Sequence, residues 1–219
     1  MGQIVAEELG LNAEQIDVLH MDTEKTPPDL GSAASRVTFV TGNAAIKTAT
    51  KFRETLKERL AKHWGVAASE IDFNDGIVSH KGDNARRLSL EEVVSLDGPF
   101  RVEDRYDIDI SRPDPKTGYG HYAATYGFGA QAAEVEIDPV TGHVSVLKVV
   151  VVQDIGRVMN PLALDGQMHG GIVQGIGMAL REELVFQDGA PVNASLITYK
   201  APRIKDTPEI ETVYIETND

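Results

Sequence analysis

The 219-residue chain contains no cysteine. That excludes disulfides, a thiolate nucleophile and iron–sulfur ligands within it. Basic residues are also in deficit. Against 34 Asp and Glu stand 21 Lys and Arg, for a formal net charge of −13. A surface of that sign argues against nucleic acid or an anionic membrane as partner. A local anion site built from backbone amides stays compatible with it. No apolar run approaches the roughly 18 residues of a membrane span, and no signal peptide is recognisable. The expectation is a cytoplasmic protein without membrane insertion.

What is present is ordinary for a soluble globular chain: 42% hydrophobic and 25% charged residues. The length suits one domain over 1–219, with room for two subdomains at about 1–100 and 101–219. The chain opens with Met1-Gly2-Gln3 inside a helical pattern and stops at Asp219 just after a strand-like run. It reads as one piece of a larger assembly.

Local signals set out the elements in order. Gln3–Leu9 predicts a helix closed by Gly10. Asn12 caps a short turn before a strand over Ile16–Met21. A loop follows from Asp22 to Arg36, where Pro27, Pro28 and Gly31 interrupt regular structure. Ala45, Ala49, Phe52, Leu56 and Leu60 predict a long helix over Ala44–His63. The run Asn74-Asp75-Gly76 predicts a hairpin between Ile71–Phe73 and Gly76–His80. Ser89 with Glu92 forms a capping box for a helix over Leu90–Leu96. Alternation predicts strands over Phe100–Ile110, Tyr122–Ile137 and His143–Val152, the last two joined by a turn at Asp138–Gly142. A hairpin around Gln187–Gly189 and a strand over Glu211–Glu216 complete the chain. Strands and helices alternate irregularly with hairpins, which favours an α+β fold with mixed sheets and packed helices.

The most unusual stretch begins at Asp154. A polar turn leads to Asn160 and Pro161, the latter tolerated at a first helical position. The helical segment after it holds five glycines between Gly166 and Gly177. Each costs about 0.5–1 kcal/mol relative to Ala in a helix interior. At about 100° per residue, Gly166, Gly170, Gln174 and Gly177 share one narrow sector, beside an apolar face of Met168, Ile172, Val173, Ile176 and Ala179. The bare strip admits either a flat ligand or a tightly packed neighbouring backbone. The glycines alone do not decide between them.

Other candidates are weaker. Six histidines lack metal-ligand spacing, so no metal held directly by this chain is expected, and His169 reads as a core histidine. Ser32, Ala33, Ala34, Ser35 and Arg36 lack the context of a hydrolase nucleophile. They suit an anion cradle, with Arg36 as a bidentate donor; taken alone, a surface loop held by Ser- and Asx-turns is the commoner explanation. The alternating aromatics and glycines around Tyr119–Gly129 read as packed strand rather than stacking surface. Neither Glu182 and Glu183 nor Glu134 and Glu136 stand out as a general base.

Five stretches in order carry a resemblance. They are Gln3–Gly10, Asp22-Thr23 with Pro27 and Gly31–Arg36, Ala133–Gly142, Asp154-x-Gly156-x-x-x-Asn160-Pro161, and Gly166-Gln167-x-x-Gly170-Gly171-x-x-Gln174-Gly175-x-Gly177. Together the chain resembles the molybdenum-cofactor-binding large subunit of the xanthine dehydrogenase/aldehyde oxidoreductase family, in the second of its two cofactor-binding domains. The resemblance implies that Ser32–Arg36 pass the phosphate or dinucleotide portion of molybdopterin. It implies that Gln167, Gly170, Gly171 and Gln174 lie against the pterin and metal ligands. It implies hydroxylation of an aldehyde, N-heterocycle or purine with oxygen from water. The expected partners are the first molybdopterin-binding domain, an iron–sulfur subunit and an FAD subunit, in an oligomer. The family's general-base glutamate sits in a Lys-x-x-Gly-Glu motif expected beyond Asp219, so no catalytic residue is expected in this chain and the isolated chain is expected to be inactive. A reductive enzyme similar to 4-hydroxybenzoyl-CoA reductase and a non-catalytic assembly module are the alternatives.

Overall fold

The helix α2 (Gly42–Trp64) is two residues longer at its start than its apolar spacing predicts, and Gly65 ends it in the left-handed region at φ 66°. Its buried face carries Ala49, Leu56 and Leu60, of which Leu56 is fully buried. The computed structural model describes residues 1–20, 22–26 and 31–217 of the chain. These form two units, Met1–Ala124 and Thr125–Asp219.

In the first unit, α1 (Gly2–Leu9) packs on α2, with Glu8 accepting from Thr50 Oγ1 at 3.0 Å and pairing Arg53 at 3.0 Å. A three-stranded antiparallel sheet covers the same core: β1 (Ile71–Asn74), β2 (Ile77–His80) and β3 (Asp83–Ser89). The turn between β1 and β2 places Asp75 and Gly76 at φ 50° and 72°. This is the double left-handed geometry that makes Asp-Gly a hairpin signal. Alternate residues Ile71, Phe73 and Val78 enter the core. The helix α3 (Leu90–Asp97) starts at the expected capping box, with Ser89 Oγ accepting from Glu92 N and Glu92 Oε2 from Ser89 N.

Two expected strands of this unit do not form. Residues 16–20 are extended but pair with no strand among the described residues, and Met21 lies outside them. Ile16 and Val18 lie beside the start of α1 instead, where a Cβ on Gly2 would stand 3.8 Å and 3.1 Å from them, while Leu19 is exposed. Phe100–Ile110 is likewise unpaired. Its alternation is that of an extended segment fastened by side chains: Lys47 and Lys51 of α2 donate to the carbonyls of Arg105 and Glu103. Phe100 stacks on Phe52 at 4.8 Å, under Arg59.

The second unit is built on a mixed sheet. β4 (Gly129–Ile137) runs antiparallel to β5 (Val144–Asp154), and β5 runs parallel to β8 (Glu209–Ile215). β4 starts seven residues later than predicted: the glycine–aromatic run before it leaves the Tyr126 and Phe128 side chains exposed and meets β5 where Phe128 O accepts from Asp154 N at 2.8 Å. Asp138 organises the β4–β5 turn, accepting from Val140 N at 2.8 Å and Thr141 Oγ1 at 2.6 Å. A parallel pair requires a crossover connection. Here it contains α4 (Pro161–Leu180), the short hairpin β6 (Phe186–Gln187) and β7 (Ala190–Pro191), and α5 (Leu196–Tyr199). The fold class is α+β. Among the described residues no helix is long and apolar enough to cross a membrane.

Candidate functional site

The turn into α4 explains the Asp-x-Gly and Asn-Pro spacing. Asp154 accepts from Gly156 N at 3.2 Å and from Thr217 Oγ1 at 2.9 Å, tying the end of β5 to the segment after β8. Gly156 sits at φ 62°, a region any other residue enters at a cost. Asn160 then caps the helix, its Oδ1 accepting from Ala163 N at 3.0 Å, with Pro161 at the first helical position. Each of these residues sets where α4 begins.

The glycines of α4 divide into two kinds. A Cβ added to Gly166, Gly170, Gly171 or Gly175 would meet nothing within 4 Å. One added to Gly177 would stand 2.6 Å from the Pro202 ring and collide with the Glu182 carboxylate. Gly177 is therefore the packing glycine and the only buried residue of the helix. The single sector expected from helical spacing is split, because the chain after Glu183 folds back over the last turn. There Glu182 Oε2 accepts from Tyr199 OH at 2.8 Å, which raises the Tyr199 pKa. Arg181 pairs with Asp206 at 3.2 Å.

The apolar face is less closed than predicted. Met168, Ile172, Val173 and Ile176 are half-buried and Ala179 is exposed. With Gln167, Gly171 and Gly175 they border, except for Val173, an open cavity of about 480 Å³ whose far side is Ala133, Val135, Val146 and Val149 of the sheet. His169 is exposed, which corrects its reading as a core histidine. It follows Asp165 by one helical turn, and its charge helps hold the Asp165 carboxyl below the usual range.

Of the predicted site residues, Gln167, Gly170, Gly171 and Gln174 all lie exposed on α4 in the second unit. Ser32–Arg36 belong to the first unit. Ser32, Ala33, Ala34 and Ser35 are exposed, and Pro27, upstream in the same loop, lies outside the described residues. Ala34 and Ser35 are held at φ 49° and 54°, a conformation costing non-glycine residues roughly 1–2 kcal/mol each. Arg36 donates from Nη1 to Gly31 O at 3.2 Å and from its backbone N–H to Ala33 O at 3.1 Å. Its guanidinium thus donates back to its own loop through Nη1. A π-helical turn (Val37–Thr41) leads from there into α2, a geometry common at functional sites.

Sequence reasoning passed over Asp165. Its Oδ1 accepts from Tyr214 OH at 2.6 Å and from Thr212 Oγ1 at 3.2 Å, joining α4 to β8. The Tyr214 bond is the main reason its carboxyl lies below the ordinary range. Two hydroxylated residues at i and i+2 of a strand were the legible half of that signal.

A family model for the molybdopterin cofactor-binding domain matches residues 1–208. The chain belongs to this family. Similar proteins include the gamma subunit of the 6-hydroxypseudooxynicotine dehydrogenase complex of Paenarthrobacter nicotinovorans, 34% identical over 99% of this chain and 27% of the relative. A probable xanthine dehydrogenase subunit of Bacillus subtilis is 35% identical over 98% of this chain and 28% of that protein. Among solved structures, the aldehyde oxidoreductase of Desulfovibrio desulfuricans superposes with a TM-score of 0.74 at 32% identity, over 99% of this chain and 21% of that one. The Cu,Mo-CO dehydrogenase gives 0.79 at 27% identity over 99% and 27%. The chain thus spans about a quarter of the length of the relatives it matches. On α4, an added Cβ would meet nothing within 4 Å at Gly166, Gly170, Gly171 or Gly175, which leaves helix backbone uncovered at those positions.

Proposed function

We propose that this chain forms one wall of the molybdenum-cofactor site of an oxidoreductase of the xanthine dehydrogenase/aldehyde oxidoreductase type. One observation carries the reading. Four helical glycines, two of them (Gly171 and Gly175) at the border of the open cavity, have no described residue within 4 Å of where a Cβ would stand, at about 0.5–1 kcal/mol of lost helix propensity each. The residues present fit a flat, polar, anionic group. The bare strip at Gly170 and Gly171 lets a ring system lie against backbone, and Gln167 and Gln174 offer exposed amides at its edges. When bound, the molybdenum cofactor supplies the two-electron redox centre and the site of oxygen transfer.

In this reading Gln174 would offer its amide as a hydrogen-bond donor to the cofactor, and Gln167, Gly170 and Gly171 would hold its pterin face. Ser32, Ala33, Ala34, Ser35 and Arg36 hold the phosphate or dinucleotide portion, mainly through backbone amides and the Ser hydroxyls, since Arg36 already donates to its own loop. The parent enzyme hydroxylates an aldehyde, N-heterocycle or purine with oxygen from water. The first molybdopterin domain, an iron–sulfur unit and an FAD unit lie on other domains or chains, and the general base comes from outside this chain. The relatives' names support a role within a multi-component enzyme: one is the gamma subunit of a dehydrogenase complex, another a nicotine 6-hydroxylase large subunit.

The test is Gln174→Ala in the assembled enzyme, read as molybdenum and pterin content per protein. Loss of cofactor or of turnover supports the wall. Unchanged content together with an unchanged rate returns the helix to ordinary packing.

A further inference from the structure

A wall works only if it faces the right way; the last turn of α4 is fixed by Gly177 against Pro202 and by Arg181 with Asp206, so the N-terminal half needs contacts of its own. Only Gly177, near the last turn, is buried. The flank toward β4 and β5 borders an open cavity instead of a closed interface. Among the described residues, the N-terminal half is held by Asn160 at the cap and by the side-chain contact of Asp165 with Tyr214 and Thr212. Thr212 and Tyr214 lie two apart on β8, so both hydroxyls leave the same face of the strand. Both converge on a single oxygen, Asp165 Oδ1, at 3.2 and 2.6 Å.

The angular position of Asp165 gives this contact its consequence. At 3.6 residues per turn, Gln174 lies about 180° around the axis from Asp165, and Gly170 and Gly171 lie about 120–140° away on either side. Drawing Asp165 onto β8 therefore turns Gln174 and its neighbouring glycines to the opposite side. We infer that Asp165, held by Tyr214 and Thr212, is a positioning residue that sets the azimuth of α4 and so aims the Gly170–Gln174 edge. The inference rests on the proposal that this edge faces the molybdenum cofactor. The Asp165 carboxyl touches no reacting group; it acts through the helix that carries it. Since one oxygen receives both hydroxyls, an acceptor oxygen at this position is the geometric requirement of the contact. An amide at this position keeps an acceptor oxygen, whereas alanine removes it.

The experiment uses the assembled enzyme that contains this chain, with three readouts: molybdenum and pterin content, the electron paramagnetic resonance signature of the partly reduced centre, and the thermal midpoint. Asp165→Ala is expected to lower cofactor content about tenfold, the scale at which supporting contacts act on metal sites. Asp165→Asn is expected to restore most of it. Thr212→Val/Tyr214→Phe keeps the carbon framework of the strand face and serves if Asp165→Ala does not fold. It is expected to lower content or shift the signature while the thermal midpoint, although reduced by the two lost hydrogen bonds, stays well above the assay temperature. Gln174→Ala, measured alongside, separates the two claims. If Gln174→Ala lowers cofactor content while the Thr212/Tyr214 variant changes neither content nor signature, the positioning role is overturned and the wall stands. Failure of Asp165→Asn to restore what Asp165→Ala loses also overturns it. If Gln174→Ala changes nothing, the wall itself fails, and the clamp with it.

Discussion

Replacing the open glycines of α4 with alanine tests the logic of the wall most directly, because its two halves have opposite signs. In the 219-residue chain, a methyl at Gly166, Gly170, Gly171 or Gly175 meets nothing within 4 Å. The only local effect is then the gain in helix propensity, about 0.5–1 kcal/mol per site and roughly 2–4 kcal/mol for all four. At about 2–4 °C per kcal/mol for a chain of this size, Gly170→Ala/Gly171→Ala alone raises the thermal midpoint by several degrees, readable by far-UV circular dichroism. Gly177→Ala is the internal control. Its methyl would lie 2.6 Å from the Pro202 ring, an overpacking of the kind that costs about 1–3 kcal/mol. In the assembled enzyme the sign reverses for the open sites: the same methyls at Gly170 and Gly171 stand where the pterin is proposed to lie, and molybdenum content falls. Two results would refute the reasoning. Open-site alanines that destabilise the chain would mean the strip packs against something within it. Alanines that stabilise the chain and leave cofactor content unchanged would mean the strip faces no ligand.

Other consequences are more local. Asn160→Ala removes the cap on α4 and is expected to cost about 0.5–2 kcal/mol, measured as a shift in the urea midpoint at unchanged slope. The pH dependence of stability has a definite sign. Asp138, Asp165 and Asp206 are all held below the ordinary carboxylate value, by the hydrogen bonds of Thr141, Tyr214 and Arg203 respectively. Groups depressed in the folded state contribute stability above their unfolded value of about 3.9, and that contribution is lost as pH falls through the folded values. The acid limb of the stability curve is therefore expected to flatten in the triple Asp→Asn variant at these positions, followed by denaturant titration at stepped pH. An acid limb identical to that of the parent would show the three carboxylates to be uncoupled from folding.

How much of this was legible depended on whether the deciding interaction was local. Ser89 and Glu92 satisfy each other across three residues, and Asp75-Gly76 and Asp188-Gly189 adopt positive φ within two-residue turns. Such features are written in adjacent letters. Phe100–Ile110 alternates as a strand does, but alternation reports an extended chain with two faces, not a partner. Its carbonyls go to lysines about fifty residues earlier, which no window over the segment contains. β3 failed in the opposite way: Asp83–Ser89 is mostly polar and exposed, so a paired strand left no pattern to read. Asp165 and its two hydroxyl donors are 47 and 49 residues apart, and only the fold brings them together.

The proposed site shows the same division and adds something to it. Helical spacing put Gly166, Gly170, Gln174 and Gly177 in one sector, yet it could not tell a glycine that packs from one that faces open space. At Ala34 and Ser35 the sequence held no warning at all, since left-handed backbone is usually announced by glycine or asparagine. Both stretches break local rules, and both are stretches that the family resemblance had marked as cofactor-binding. Natural chains violate local preferences mainly at functional sites, with compensation elsewhere. Gly177 shows what compensation inside the chain looks like: a Cβ there would strike Pro202 and Glu182. For Gly166, Gly170, Gly171 and Gly175 the described residues offer no such neighbour. Their lost helix propensity has no close-packed neighbour to explain it, and that difference from Gly177, more than the glycine count, is the physical argument for the proposed ligand-facing helix.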